Sequence, residues 1–291
     1  MFFNGVTAIN EFTPSSVNVI QNIAVEEKDH LYSSYCIELP VNINAVSIVI
    51  PAYNEAKRIA STIKDIEENF QEVNEIIVVF DGSDNTPAVA KSISKKVKIV
   101  TSKRRLGHGG AVFKGINEAK GDVICVIDAD GAIPAIEVRR LSFLVNDNNP
   151  AIFGSRWVRN SVVLRKEPLR NRLGGRVYHY LSYAVLGIKI KDSFCGLKVF
   201  KRHLAISLKN RIIIKDRTFN IAIAYHLKLL GIDPLEVGIR WEHKDGSQLP
   251  VGFRTIAIMF ITLIGLRISH SSRFKRGQRI AEKLRANFDF F

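Results

Sequence analysis

The chain has 291 residues, 46% of them hydrophobic, and a formal net charge of +14, enough apolar content for a large globular core. The positive excess is clustered: Arg156 to Arg176 and Arg267 to Arg285 each hold seven Arg/Lys against one Glu. Clustered bases imply an anionic partner such as acidic lipid or a phosphorylated substrate, and nucleic acid ranks last because no recognition module accompanies the charge.

Residues 1–44 show weak periodicity and read as an N-terminal arm of unknown role. They lack a basic stretch followed by an apolar run, so no secretory signal peptide is expected. From Ala45 the apolar runs "VSIVI", "EIIVVFD", "VKIV" and "DVICVID" alternate with amphipathic stretches, the first carrying Ile59, Ile63, Ile66 and Phe70 at helical spacing. That rhythm predicts βαβ units, hence an α/β fold with a mostly parallel sheet flanked by helices. Beyond residue 150 follow "AIFGS", a basic helix from about Pro168 to Leu186, a short strand near Lys198 to Phe200, a helix from about Arg217 to Leu230, and "EVGIRW". One domain over 45–250 is expected, with a split near residue 155 as the alternative. Residues 251–291 read as an amphipathic helix and a basic tail; the apolar run from Thr255 to Leu266 is too short to span a bilayer. No transmembrane helix is therefore expected, although lying on a membrane is open. Cys36, Cys125 and Cys195 are far apart and read as inert thiols in a reducing compartment.

In open parallel sheets, ligands bind beyond the carboxyl ends of the strands. Here the strands run into "PAYNE", "DGSDNT", "RRLGHGGA" and "DADG". Each has a plain explanation alone: "DGSD" is a turn in which Asp84 caps a helix, "GHGG" a flexible loop, and "DAD" a solvated strand end. Together they gather like charges at one edge, which repel unless a cation sits among them. Asp128 and Asp130 offer the oxygen chemistry preferred by Mg2+ or Mn2+.

In this order and spacing, "IVIPAYNEAKRI", "IIVVFDGSDNT", "GHGGAVFKGI", "VIDADGA", "FGSR" and "KDSFCGLKVF" resemble the family 2 inverting glycosyltransferases of GT-A fold. More narrowly they resemble the polyprenyl- and dolichyl-phosphate sugar transferases. The "DADGA" stretch is more similar to dolichyl-phosphate β-glucosyltransferases than to mannose synthases, which usually carry Gln where Ala132 stands. The resemblance implies that Pro51, Ala52, Tyr53 and Glu55 line a nucleotide pocket, with Asp81 accepting a hydrogen bond from the base. It implies nucleotide-sugar contacts from Gly107 and Ala129. Asp128 and Asp130 would be the D-x-D pair that holds the metal, and Arg156, Arg170 and Ser247 would meet an acceptor phosphate, Arg156 with a catalytic part. It further implies a peripheral enzyme on the cytoplasmic side of a membrane, moving glucose from UDP-glucose onto polyprenyl or dolichyl phosphate. The alternatives are GDP-mannose as donor, a soluble acceptor, or a non-catalytic relative; the oligomeric state is open.

The chain departs from that pattern in three places. Arg105 and His108 stand where the third loop usually has Asn and Lys, and a cationic His108 is expected to replace the lysine in part. "FNIA", Phe219 to Ala222, replaces aromatic-Asp-x-Glu, so Asn220 and Ala222 lack the usual carboxylates. Gln248 follows Ser247 where Lys is usual.

Overall fold

A computed structural model of the chain describes residues 45–244 and 253–269. The N-terminal arm, Ser247, Gln248 and the basic tail lie outside the described residues, as does the side chain of Arg170.

The first four strands are β1 (Val46–Ala52), β2 (Val73–Phe80), β3 (Val97–Thr101) and β4 (Val123–Val126), joined by helices α1 (Ile59–Asn69), α2 (Thr86–Ile93) and α3 (His108–Glu118). They run parallel, with Ile50 beside Val78 and Ile48 beside Cys125. Their β-branched runs are buried on both faces, which explains why they show no alternation. Ile48 and Ile50 face α1, whose Ile59, Ile63 and Ile66 are fully covered, while Val49 and Val79 face α3. There Gly115 lets the helix approach closely: a Cβ would stand 2.3 Å from Val49 Cγ1.

The remaining described elements are α4 (Ala135–Leu144), β5 (Ala151–Ser155), β6 (Val162–Arg165), α5 (Leu169–Leu186), β7 (Lys198–Lys201), α6 (Arg202–Arg211), α7 (Phe219–Leu229), β8 (Leu235–Gly238), β9 (Arg240–Glu242) and α8 (Phe253–Ser269). The seven-stranded sheet has the order β3-β2-β1-β4-β7-β5-β8, with β7 antiparallel to both neighbours, and β6 pairs with β9 apart from it. Strands β7 and β8, which follow residue 155, belong to the same sheet as β1 to β5. "EVGIRW" is two strands in two sheets, β8 ending at Gly238 and β9 beginning at Arg240.

Helix α5 buries Tyr178, Ser182 and Leu186 but leaves Leu169, Leu173, Val177 and Tyr180 exposed, the last at 69%. These exposed residues recur at helical spacing and form an apolar stripe. Helix α8 packs beside it: Tyr178 donates to the Met259 carbonyl at 3.1 Å, and Leu263 and Leu266 are buried while Phe260 and Ile264 stay exposed. Part of the apolar run thus serves the core. Among the described residues no helix is long and apolar enough to cross a membrane.

Candidate active site

Strand order reverses direction between β1 and β4, and the crevice at such a switch point is where open α/β sheets receive ligands. Four loops converge there, after β1, β2, β3 and β4.

The first two interlock. Asn54 adopts a left-handed backbone, φ 56°, which Asn tolerates better than most residues. Its Oδ1 accepts from the Ser83 N–H at 2.8 Å. Gly82 is required at this crossing, since a Cβ would lie 2.4 Å from Asn54 Oδ1. Asp84 accepts the Ala56 N–H at 3.0 Å and the Thr86 N–H at 3.0 Å, so it ties loops together. Pro51 and Ala52 end β1, and Tyr53 presents an exposed ring.

The side chain of Asp81 is buried and doubly engaged. Arg105 Nη1 lies 2.7 Å from Oδ1 and the Leu106 N–H donates to Oδ2 at 2.7 Å. The same guanidinium stacks on Tyr53, its carbon 3.2 Å from the ring centre. Arg105 therefore covers the ring face and the carboxylate edge that the family resemblance gives to a nucleobase.

Across the crevice, Asp130 Oδ1 accepts the Ala132 N–H at 3.0 Å, and the Ala129 carbonyl accepts the Thr62 hydroxyl at 2.8 Å. Both contacts fix the D-x-D turn. Burial raises the Asp130 pKa, Asp128 raises it further, and Arg58 pulls it down. Glu55 is likewise raised, first by burial, against the opposing pull of Arg58 at 2.6 Å. Among the described residues no three metal-ligating side chains form a cage. Two hard carboxylates are nevertheless the set with which a divalent cation binds a substrate diphosphate, whose oxygens and waters complete the shell.

His108 Nε2 stands 3.8 Å from Asp128 Oδ1. Its pKa is pushed down to about 3, first by burial and then by Arg217 and Lys198. The imidazole is neutral near pH 7, which corrects the expectation that His108 supplies the positive charge of the usual lysine. Gly107, φ +70°, packs its backbone toward the Lys215 carbonyl, 2.7 Å from where a Cβ would be, and the following glycines lie in the first turn of α3. This glycine-rich segment is a docking surface for chain rather than a flexible loop.

Arg156 is largely buried. Nε and Nη2 fork onto Asp192 at 2.7 and 2.8 Å, and Nη1 faces Glu167 at 3.5 Å. Burial lowers its pKa, but Asp192 more than offsets this, so the net shift is upward. The structure thus gathers Pro51, Ala52, Tyr53, Glu55, Asp81, Gly107, Asp128, Ala129 and Asp130 around one crevice, with Arg156 committed to a protein carboxylate at its side.

Sequence reasoning missed three contributors. Lys198 is buried on β7, donates to the Cys195 carbonyl at 2.6 Å, and is shifted down to about 8 by burial, against the pull of Cys195, Asp128 and Asp192. Arg58 is the counter-ion of Glu55. Gly196 touches the catalytic edge, since a Cβ there would stand 2.3 Å from Asp128 Oδ2. All three lie inside quoted motifs, and a lysine within an apolar strand was the available signal.

Residues 47–208 match the model of Glycosyl transferase family 2, more than half of the chain. The chain is a family 2 glycosyltransferase. This glycosyltransferase is 31% identical over 231 residues to the dolichyl-phosphate beta-glucosyltransferase of Mus musculus, an alignment covering 70% of the chain and 69% of that protein. It is 29% identical over 272 residues to the Saccharomyces cerevisiae protein of the same name, covering 81% and 80%. Its fold superposes with a TM-score of 0.59 at 20% identity, covering 78% of each chain, on Mycobacterium tuberculosis glucosyl-3-phosphoglycerate synthase in complex with Mn2+, UDP and phosphoglyceric acid.

Proposed function

We propose that this glycosyltransferase moves a hexose, glucose from UDP-glucose, with inversion onto dolichyl or polyprenyl phosphate at the cytoplasmic surface of a membrane. The observation that carries the site is the crowded Asp128–Asp130 pair at the switch point, opposite Tyr53 and Asp81. Asp128 and Asp130 would hold Mg2+ or Mn2+. When bound, that cation supplies positive charge to a diphosphate leaving group in place of a proton donor. Tyr53 and Asp81 bind the base after Arg105 gives way. The names of the relatives support the sugar and the lipid phosphate.

Asn220 and Ala222 fit such an acceptor. A phosphate monoester, with a second pKa of about 6, is already an anionic nucleophile near neutral pH, so no carboxylate base is needed from α7. It needs neutralisation and aim, which Arg170, Ser247 and the remaining N–H groups of Arg156 would supply. The apolar stripe of α5 with Arg172 and Arg176 beside it, together with Phe260 and Ile264 of α8, suits the headgroup region of an anionic leaflet. On this reading residues 45–250 are the catalytic domain, and 251–291 contribute to the membrane contact.

The test is a screen of UDP- and GDP-sugars with Mn2+, offering a short isoprenyl phosphate or phosphoglycerate as acceptor. Transfer of glucose from UDP-glucose to the isoprenyl phosphate is expected. Transfer only from GDP-mannose, or only to phosphoglycerate, would replace the corresponding half of the proposal.

A further inference from the structure

The turn before α7 carries a cation, Arg217, that makes no ion pair among the described residues. The Lys215 carbonyl accepts the Gly110 N–H at 3.0 Å. The Cβ of Phe219 lies 2.6 Å from where a Cβ on Gly109 would stand. Within the turn, Asp216 Oδ1 accepts from the Thr218 N–H at 2.7 Å and the Thr218 hydroxyl at 2.5 Å. Thr218 in turn lies 3.1 Å from the Thr262 hydroxyl of α8. The backbone of residues 215–219 is therefore clamped from the α3 side by glycines and from the α8 side by a hydroxyl pair.

Arg217 projects from this clamped turn. Its side chain is exposed to water, and the turn borders the crevice, since Phe219 packs against His108, which stands 3.8 Å from Asp128. Its charge is attracted by Asp128 and Asp130 and repelled by Arg156, but among the described residues it makes no ion pair and donates no side-chain hydrogen bond. Its place is unfavourable for a merely solvated base, because a cation at a helix N-terminus opposes the helix dipole. A guanidinium carried on a clamped turn, with its fork unused and the Asp128 and Asp130 carboxylates in its field, has the chemistry of a phosphate receptor.

We infer that Arg217 binds a phosphate oxyanion in the crevice. This rests on the glycosyltransferase site proposed above. The oxyanion belongs either to the diphosphate of the donor or to the monophosphate of the acceptor, and two measurements separate these sources.

Binding of UDP and of uridine in the presence of Mn2+ is compared between the full-length protein and Arg217→Gln and Arg217→Lys variants. The Michaelis constant for a short isoprenyl monophosphate is measured alongside. A donor contact raises the UDP dissociation constant at least tenfold in Arg217→Gln while uridine binding stays unchanged. An acceptor contact leaves UDP binding intact and raises the Michaelis constant for the monophosphate at least tenfold. In either case Arg217→Lys should recover part of the loss, because charge without the fork is retained. If the parent protein binds UDP and both constants of Arg217→Gln remain within twofold, Arg217 is a solvated base and the inference fails alone. Equal losses for UDP and uridine would make its role structural and overturn it as well. A parent protein that binds no UDP would sink both this inference and the reading of the site.

Discussion

Gly196→Ala separates stability from catalysis. The new methyl carbon would stand 2.3 Å from Asp128 Oδ2 and 2.8 Å from Cγ, whereas carbon and oxygen approach comfortably at about 3.3 Å. The carboxylate must therefore retreat by about 1 Å. It can do so cheaply, because the obstruction is the end of a short side chain: leaving its rotamer costs about 0.5–1.5 kcal/mol, or a fall in melting temperature of about 2–4 °C per kcal/mol. Function should suffer far more, since a misplacement of about 1 Å at reacting groups can cost about 100-fold, equivalent to about 2.7 kcal/mol of transition-state stabilisation. Thermal denaturation and kcat/KM with UDP-glucose, Mn2+ and an isoprenyl phosphate measure the two effects on one preparation. A variant that keeps kcat/KM within threefold of the parent would refute the claim that Asp128 must sit against Gly196. A drop in melting temperature well above 10 °C would show that the methyl group disturbs the fold instead.

Asp130→Asn should abolish metal-dependent transfer while leaving the apo fold as stable or slightly more so. Because burial and Asp128 raise its pKa, the folded protein holds this proton more tightly than the unfolded chain, so stability from this group rises as pH falls through that pKa; urea titrations should show the variant losing stability more steeply on acidification than the parent, because this compensating gain is gone. Asp81→Ala, which frees Arg105, should weaken UDP binding with less effect on the acceptor, and calorimetry giving equal UDP affinity would return Asp81 to a turn-forming role. Asp192→Ala strands the Arg156 guanidinium and should cost about 3–5 kcal/mol, measured by denaturant unfolding. Leu173→Glu combined with Tyr180→Glu should cut sedimentation with anionic vesicles without altering soluble UDP binding; unchanged sedimentation would detach α5 from the membrane.

The first half of the fold is legible because each strand is buried on both faces, so a continuous apolar run marks it, and each connecting helix shows its covered face at 3.6-residue spacing. The later part hides its topology. Strand β7 is four residues long, includes the charged Lys198 and runs against its neighbours, and β6 is exposed enough to lose the pattern. Similarly, D-x-D and the strand-end loops announced themselves by residue type, whereas their supports did not. Nothing in "GHGG" says that its glycines admit a protein carbonyl, and the partner of Arg156 lies 36 residues away in "KDSF". Neutral His108 was misjudged because its pKa is set by burial and by the distant Arg217 and Lys198, neither adjacent in sequence.

The pairing of charges explains why one carboxylate pair is set apart from the rest. Glu55 has Arg58, Asp81 has Arg105 and the Leu106 N–H, and Asp192 has the Arg156 fork, each within 2.8 Å. A buried carboxylate matched in this way is stabilised by its partner but has little left to offer a ligand, since breaking such a pair leaves an uncompensated charge. Asp128 and Asp130 have no such close fork among the described residues: His108 Nε2 stands 3.8 Å from Asp128 and is neutral, while Arg58, Lys198 and Arg217 act on the pair electrostatically. Their mutual repulsion is therefore only partly offset, and on the proposed reading a divalent cation entering the crevice would relieve the rest. On the proposed reading that leaves the D-x-D pair, rather than the carboxylates with private counter-ions, with the most to gain from a cation, and the missing side chain of Gly196 leaves Asp128 the room to stay there.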